Sequence, residues 1–193
     1  MDIRTPIPTN GGDWQTRFGE AWRLQVSQLK QRFGEAIEEI RMPLEYPTDV
    51  PIVFVKKESL IGLLSFLKSE SGFEYNFLSD ITATDEQISQ QSDRRFEVVY
   101  NFFSQTRFWR IRVKIRLKEN EETPTLVHLW PAANWAEREI WDMFGIRFDG
   151  HPNLRRILMD SRWEGHPLRK DYPLRGYQIF PTPEPAEPGF LEN

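Results

Sequence analysis

Residues 109–118, WRIRVKIRLK, alternate without a break: Trp109, Ile111, Val113, Ile115 and Leu117 take one parity, and Arg110, Arg112, Lys114, Arg116 and Lys118 the other. Successive side chains of a strand point to opposite faces, so this run is a half-buried strand with an apolar face and a cationic ladder behind it. The preceding run, Arg95 to Phe103, has the same period, with Phe96, Val98, Tyr100 and Phe102 set against Arg95, Glu97, Val99 and Asn101. Long turns, Thr84–Arg94 and Glu119–Pro124, flank the two runs, which suggests antiparallel neighbours.

Upstream, Phe18, Trp22, Val26, Leu29 and Phe33 recur at helical spacing before Gly34, predicting a helix over Trp14–Phe33. Glu35–Met42 and Pro51–Val55 read as strands joined through a Pro-bracketed turn, with Ile52–Val55 apolar enough to be central. Glu58–Ser71 carries Leu60, Ile61, Leu63, Leu64, Phe66 and Leu67, a helix with a wide apolar face made to cover a sheet. Phe73–Thr82 reads as a third strand and Thr125–Trp130 as a short last one. Helices that do not alternate one-for-one with strands favour an α+β fold: a two-layer sandwich with helices on one face of a mixed, mostly antiparallel sheet.

Downstream the chain changes character. Residues 133–173 read ANWAEREIWDMFGIRFDGHPNLRRILMDSRWEGHPLRKDYP. The first part predicts a helix with Asn134 as N-cap, Glu137 closing a capping box and Gly145 as the C′ glycine. Ala136, Ile140, Met143 and Phe144 share its docking face, with Glu137 and Trp141, and Arg138 and Asp142, paired across a turn. Beyond Gly145 the period is lost, and Gly150, Pro152, Gly165, Pro167 and Pro173 punctuate a run of Arg, Trp, His and Tyr. The expected organisation is a disordered start over 1–12, an α+β domain over 13–146 and an extended partner-docking tail over 147–193, its PTPEPAEP end mobile.

Composition narrows the function. With no cysteine, the chain has no disulfide, no thiolate nucleophile and no thiolate for an iron–sulfur cluster. No apolar run is long enough for a membrane span, and the polar start lacks a signal peptide's apolar segment, so contact with a membrane is expected only through partners. A formal charge of −4 argues against a dedicated nucleic-acid binder. The rival reading sets the Arg110–Lys118 ladder and the Arg/Trp/Tyr tail against phosphates and bases.

Three constellations bear on chemistry. Glu139 and Asp142, at i and i+3, can face one point, and His151 adds an imidazole, so a carboxylate–imidazole metal site is conceivable; no HExxH-like spacing supports it. The alternative is a capped helix whose acids pair with Arg138 and with arginines of the tail. His128 lies in a strand pattern and reads as a structural histidine. His151 and His166 share a local echo: Gly150-His151-Pro152 with Leu154-Arg155-Arg156, then Gly165-His166-Pro167 with Leu168-Arg169-Lys170. Each unit is a turn that aims a ring, an apolar anchor and paired cations. The two units read either as clamps on an acidic partner surface or as solvated turns.

The set Glu137-Arg138-Glu139, Asp142-Met143-Phe144, His151, Arg155 and Ile157-Leu158 resembles in full the signature of the 30-kDa subunit of respiratory complex I, the C subunit of the bacterial NADH:quinone oxidoreductase. WEGHPLRKDYPL, Trp163–Leu174, and LSDIT, Leu78–Thr82, resemble the same family, and the likeness spans Leu24–Leu174. It implies an α+β fold with two helices on one sheet face, and a non-catalytic structural and assembly role in the peripheral arm, at the cytoplasmic face of the inner membrane. The resemblance implies no cofactor in this chain, with FMN and iron–sulfur clusters in partner subunits, and NADH and quinone met only through the complex. It implies docking of His151–Tyr172 on the D, B and I subunits, with Leu154, Arg155, Arg156, Trp163, His166, Arg169, Lys170 and Tyr172 as contacts and Phe144, Ile157 and Leu158 as further anchors. Related subunits also serve membrane-bound hydrogenases and complexes fed by other donors.

Overall fold

The computed structural model describes residues 13–43, 45–87, 93–176, 178–180 and 182, and side chains of the first helix from residue 19. The Phe18 side chain, Met1–Gly12 and Glu184–Asn193, on which sequence expectations fall, lie outside that description. The elements run α1 (Asp13–Phe33), β1 (Ile37–Arg41), β2 (Ile52–Val55), α2 (Leu60–Ser69), β3 (Phe77–Asp85), β4 (Arg94–Ser104), β5 (Trp109–Lys118), β6 (Thr123–Pro124), α3 (Ala133–Phe144) and β7 (Phe148–Asp149). Five strands form one sheet in the order β1-β2-β5-β4-β3. Its neighbours are antiparallel except β2 and β5. The chain leaves β2 through α2, crosses the sheet, and returns by the β3-β4-β5 meander, so the alternating strand ends in the middle.

Its alternation sets the two layers. Ile111, Val113, Ile115 and Leu117 join Leu29 of α1, Leu60, Leu63, Leu64 and Leu67 of α2, and Ile140, Met143 and Phe144 of α3 in one hydrophobic cluster. Helices cover this face. On the other, the ladder is not the run of free cations that a phosphate-binding surface needs. Arg112 meets Asn101 and Asp49, Lys114 meets Glu97 at 2.7 Å, Arg116 meets Glu97, Glu39 and Glu38, and Lys118 meets Asp93. Phe54 is buried on this face with Arg116, Arg41 and Lys114 at 4.1, 4.7 and 5.4 Å from its ring centroid. Cations over an aromatic face are attracted by its quadrupole, and their stems exclude water from the ring.

Two elements differ from expectation. The third strand starts at Phe77, not Phe73, because the preceding residues close the helices instead: the Tyr75 amide donates to the Leu67 carbonyl (2.9 Å) and its hydroxyl to Gln25 of α1 (2.9 Å). Thr125–Trp130 is not a strand. Only Thr123–Pro124 pairs, in parallel with Phe148–Asp149. Of the backbone donors that follow, the Leu126 amide is taken by a side chain of α3, the Val127 amide by the Thr125 hydroxyl, and the Leu129 and Trp130 amides by the Leu126 carbonyl.

Candidate functional site

The helix α3 is the hub. Asn134 is not its N-cap and there is no capping box: the helix begins at Ala133, with Ala132, two residues before Asn134, as an N-cap that makes no side-chain cap bond. Glu137 instead turns inward and is fully buried. Its carboxylate accepts the Leu126 amide at 2.6 Å and the Thr125 hydroxyl at 2.5 Å, while Thr125 accepts the Val127 amide at 3.2 Å. This is why Thr125–Trp130 forms no ladder. Burial pushes the Glu137 acid up to about 7, although both hydrogen bonds act to lower it.

The folded chain therefore keeps the Glu137 proton over a range where the unfolded chain has lost it, so this group's stabilisation is full below about pH 4 and is lost as pH rises through 7. Glu137→Gln keeps both contacts without the charge. We expect the variant's stability, relative to the parent chain, to rise between pH 5 and 8 by about 2–3 kcal/mol, measured by urea unfolding across that range. A constant difference would mean that Glu137 does not titrate there.

At the other end of α3, Gly145 takes the left-handed C′ position at φ 79°. Asp142, fully buried, does not pair with Arg138 across the turn. One carboxylate oxygen accepts the amides of Ile157 (3.0 Å), Leu158 (2.8 Å) and Met159 (2.9 Å), and the other takes the Arg156 guanidinium at 2.5 Å. Burial works to raise this acid, but those three amides and Arg156 outweigh it and hold it below the usual carboxylate range. Arg138 reaches the same segment from the next turn, donating to the carbonyls of Arg155 (3.1 Å) and Arg156 (2.8 Å). Two buried charges of the helix thus fasten one stretch of tail.

The histidine echo is a pair of clamps on the ends of that same helix. The His151 Nδ1 accepts the Asn153 amide (3.0 Å), which leaves its Nε2 proton for the Asn134 carbonyl (3.1 Å) at the start of α3. His166 places Nδ1 at 2.9 Å from the Asp142 carbonyl at its end, and the Leu168 amide donates to the Met143 carbonyl at 3.0 Å. The His166 ring lies so close to Gly145 that a Cβ there would sit 2.6 Å from it. The rings of both turns thus grip this chain's own helix. Glu139, Asp142 and His151 do not converge as a metal site requires: Glu139 is exposed, Asp142 is spent on the tail and His151 on the backbone of Asn134. No cluster of three metal-ligating side chains exists among the described residues.

The tail's second fastening is one the sequence did not flag. A register shift between Arg94 and Phe96 makes Arg95 the extra residue of a β-bulge. Its guanidinium, at 5.0 Å from the Phe96 ring, meets Asp85 (2.8 Å), Asp171 (2.8 Å) and Glu119 (3.1 Å). Arg169 joins Glu119 and Asp171, and the Lys170 amide donates to Asp85 at 2.9 Å. Arg95 and then Arg169 hold the Asp171 carboxyl well below the usual carboxylate range. Asp85 and Arg95 are buried, so the charges that hold Arg169–Asp171 lie under the tail, not on a free surface.

Of the expected partner contacts, several are therefore used internally. Phe144 belongs to the core and Arg156 to Asp142; Leu154 packs against the core at partial burial. Trp163 and Tyr172 stack on each other at 6.5 Å, with Tyr172 closing over Gly165 and Gly176. Along the tail, three leucines remain outward: Leu158, Leu168 and Leu174 are 61%, 52% and 100% exposed. Lys170 is exposed as well, and His128 is exposed in the turn before α3.

A sheet domain that spends its buried charges on holding an irregular segment in place, with leucines left outward along that segment, has the build of a subunit of a larger assembly. Known proteins of similar sequence and fold agree. The family model described as respiratory-chain NADH dehydrogenase, 30 Kd subunit, matches residues 53–178. The chain belongs to that family. It is 42% identical over 164 residues, 85% of this chain and 84% of the relative, to the NADH-quinone oxidoreductase C 2 subunit of Rhizobium etli. It is 43% identical over 173 residues to the NADH-quinone oxidoreductase C/D subunit of Klebsiella pneumoniae, covering 28% of that longer chain. Among solved structures, Nqo5 of a trypsin-resistant fragment (1-134) matches with TM-score 0.57 and 29% identity, covering 68% of this chain and 99% of that one. A chain from the membrane-bound sulfane sulfur reductase, an archaeal respiratory membrane complex, shares the fold at TM-score 0.59 and 19% identity, over 86% of this chain and 99% of that one. No helix among the described residues is long and apolar enough to cross a membrane.

Proposed function

We propose that this chain is a structural and assembly subunit, with no active site of its own, of the peripheral arm of NADH:quinone oxidoreductase. In that complex electrons pass from NADH through FMN and iron–sulfur clusters, held by other subunits, to quinone, coupled to proton translocation. The observation that carries the non-catalytic role is the fate of the signature: Glu137, Arg138 and Asp142 are buried and engaged within the chain. An acid whose lone pairs are already occupied by four donors has none to offer a substrate. Relatives in which the C and D subunits form one polypeptide support the D subunit as a neighbour, since a covalent link keeps the two at high effective concentration. The B and I subunits complete the partner set, at the cytoplasmic face of the membrane.

The test is to tag the chain in its native host, extract the membranes in mild detergent and assay what co-purifies. Flavin- and cluster-bearing subunits with NADH:quinone activity are expected. Leu158→Glu with Leu174→Glu alters only exposed positions, so the isolated chain's unfolding should shift by no more than about 1 kcal/mol, while recovered complex falls by about threefold or more. Full assembly with lost turnover would point instead to a catalytic role.

A further inference from the structure

The helix-free face of the sheet carries one feature that the tail does not explain. Phe77 pairs with Phe103 across β3 and β4, Phe103 pairs with Arg110 across β4 and β5, and Phe108, in the hairpin between β4 and β5, lies 6.1 Å from Phe103 ring to ring. The three rings form a patch in which Phe77 and Phe108 are 47% and 66% exposed. Arg110 sits 5.9 Å from the Phe103 centroid. Among the described residues it is the one cation of the β5 ladder with no carboxylate partner.

The patch is also held at a conformational cost. Phe108 has φ 57°, a left-handed position that a bulky side chain rarely occupies and that glycine or asparagine would fill with less strain. The hairpin is fastened there by Arg107 to Glu74 (2.9 Å), Thr106 to Glu74 (3.1 Å) and the Gln105 amide to the Asn76 side chain (3.2 Å). Glu74 itself is at φ 51°. A strained, exposed and pinned aromatic brings nothing to the core, and immobilising it before contact reduces the ordering cost of binding. Aromatic rings grouped around an arginine are the composition of an interface anchor.

We propose that Phe77, Phe103, Phe108 and Arg110 form a second docking surface, distinct from the tail, for a segment of a neighbouring subunit that carries a carboxylate beside an apolar or aromatic side chain. The unmatched Arg110 takes the carboxylate and the rings take its neighbour. This rests on the subunit role proposed above. The test places a p-benzoylphenylalanine photocrosslinker at position 108 of the chain within the purified complex. Irradiation is expected to join it to an acidic stretch of another subunit. Phe108→Gly relieves the left-handed strain, so the isolated chain should unfold no more easily than the parent; Arg110→Glu should leave its unfolding unchanged. Each should nonetheless raise the fraction of this chain stripped from the complex by 0.5 M salt, by about fivefold. Crosslinks to a second copy of this chain, to nucleic acid or to no protein, in a complex that still assembles, overturn the proposal and leave the subunit role standing. A chain that never co-purifies with a complex overturns both.

Discussion

Asp142→Ala is expected to unfasten the tail. The substitution removes the acceptor of three backbone amides and the partner of Arg156, all gathered on one carboxylate that water does not reach. Leaving buried donors and a guanidinium without their acceptor costs about 3–5 kcal/mol. For a chain of this length that lowers the melting temperature on the order of 10 °C. The loss should be regional: trypsin, slow on the parent chain under native conditions, should cut at Arg155, Arg156 and Arg162 and leave the sheet domain as a core. Asp142→Asn distinguishes charge from shape, because an amide keeps one acceptor oxygen but sets its NH2 against either the three amides or Arg156. An unchanged melting curve with an uncut tail would show that the carboxylate does not hold it.

Arg95→Met is expected to have the second large effect, at the other end of the tail. Methionine fills the volume but leaves Asp85 buried with Asp171 and Glu119 near by and no guanidinium between them. Breaking a buried pair by removing one member costs about 3–5 kcal/mol, while replacing both members by apolar groups often costs little. The double variant Arg95→Met/Asp85→Leu should therefore recover a substantial part of what the single variant loses, and a double-mutant cycle in urea measures it. Arg95→Lys should rescue only in part, since a single ammonium cannot reproduce the forked contact with Asp85. Simple additivity of the two substitutions would argue that Arg95 acts by packing on Phe96 alone.

The sequence was most legible where one period dominated. The β5 alternation runs from Trp109 to Lys118 as read, and the mixed sheet with helices on its apolar face follows from the element order. Reading failed where a side chain competes with the backbone. Thr125–Trp130 has the composition of a strand, but Glu137 and Thr125 take the amides of Leu126 and Val127, and no composition signal separates a capping glutamate from one that turns inward. The helical wheel placed Ala136, Ile140, Met143 and Phe144 inward and left the charges outside; Arg138 and Asp142 are buried because the tail supplies a second cover the wheel cannot represent, and Glu137 because the Thr125–Leu126 turn covers it from the other side. The cationic ladder looked free because its acids lie on other strands. The echo around His151 and His166 was visible as a repeat, but its target, the two ends of α3, is a fact of three dimensions. The Arg95 bulge had no local signature at all.

The clamps on α3 also carry information about time. A helix without a side-chain N-cap has its end charge, Asp142, satisfied by amides fifteen to seventeen residues later in the chain, and its last carbonyls by residues still further on. During synthesis the sheet strands and α3 leave the ribosome first, and the locks arrive only as the chain passes Leu168. The hub helix therefore cannot be fastened at both ends until Leu168 has been made.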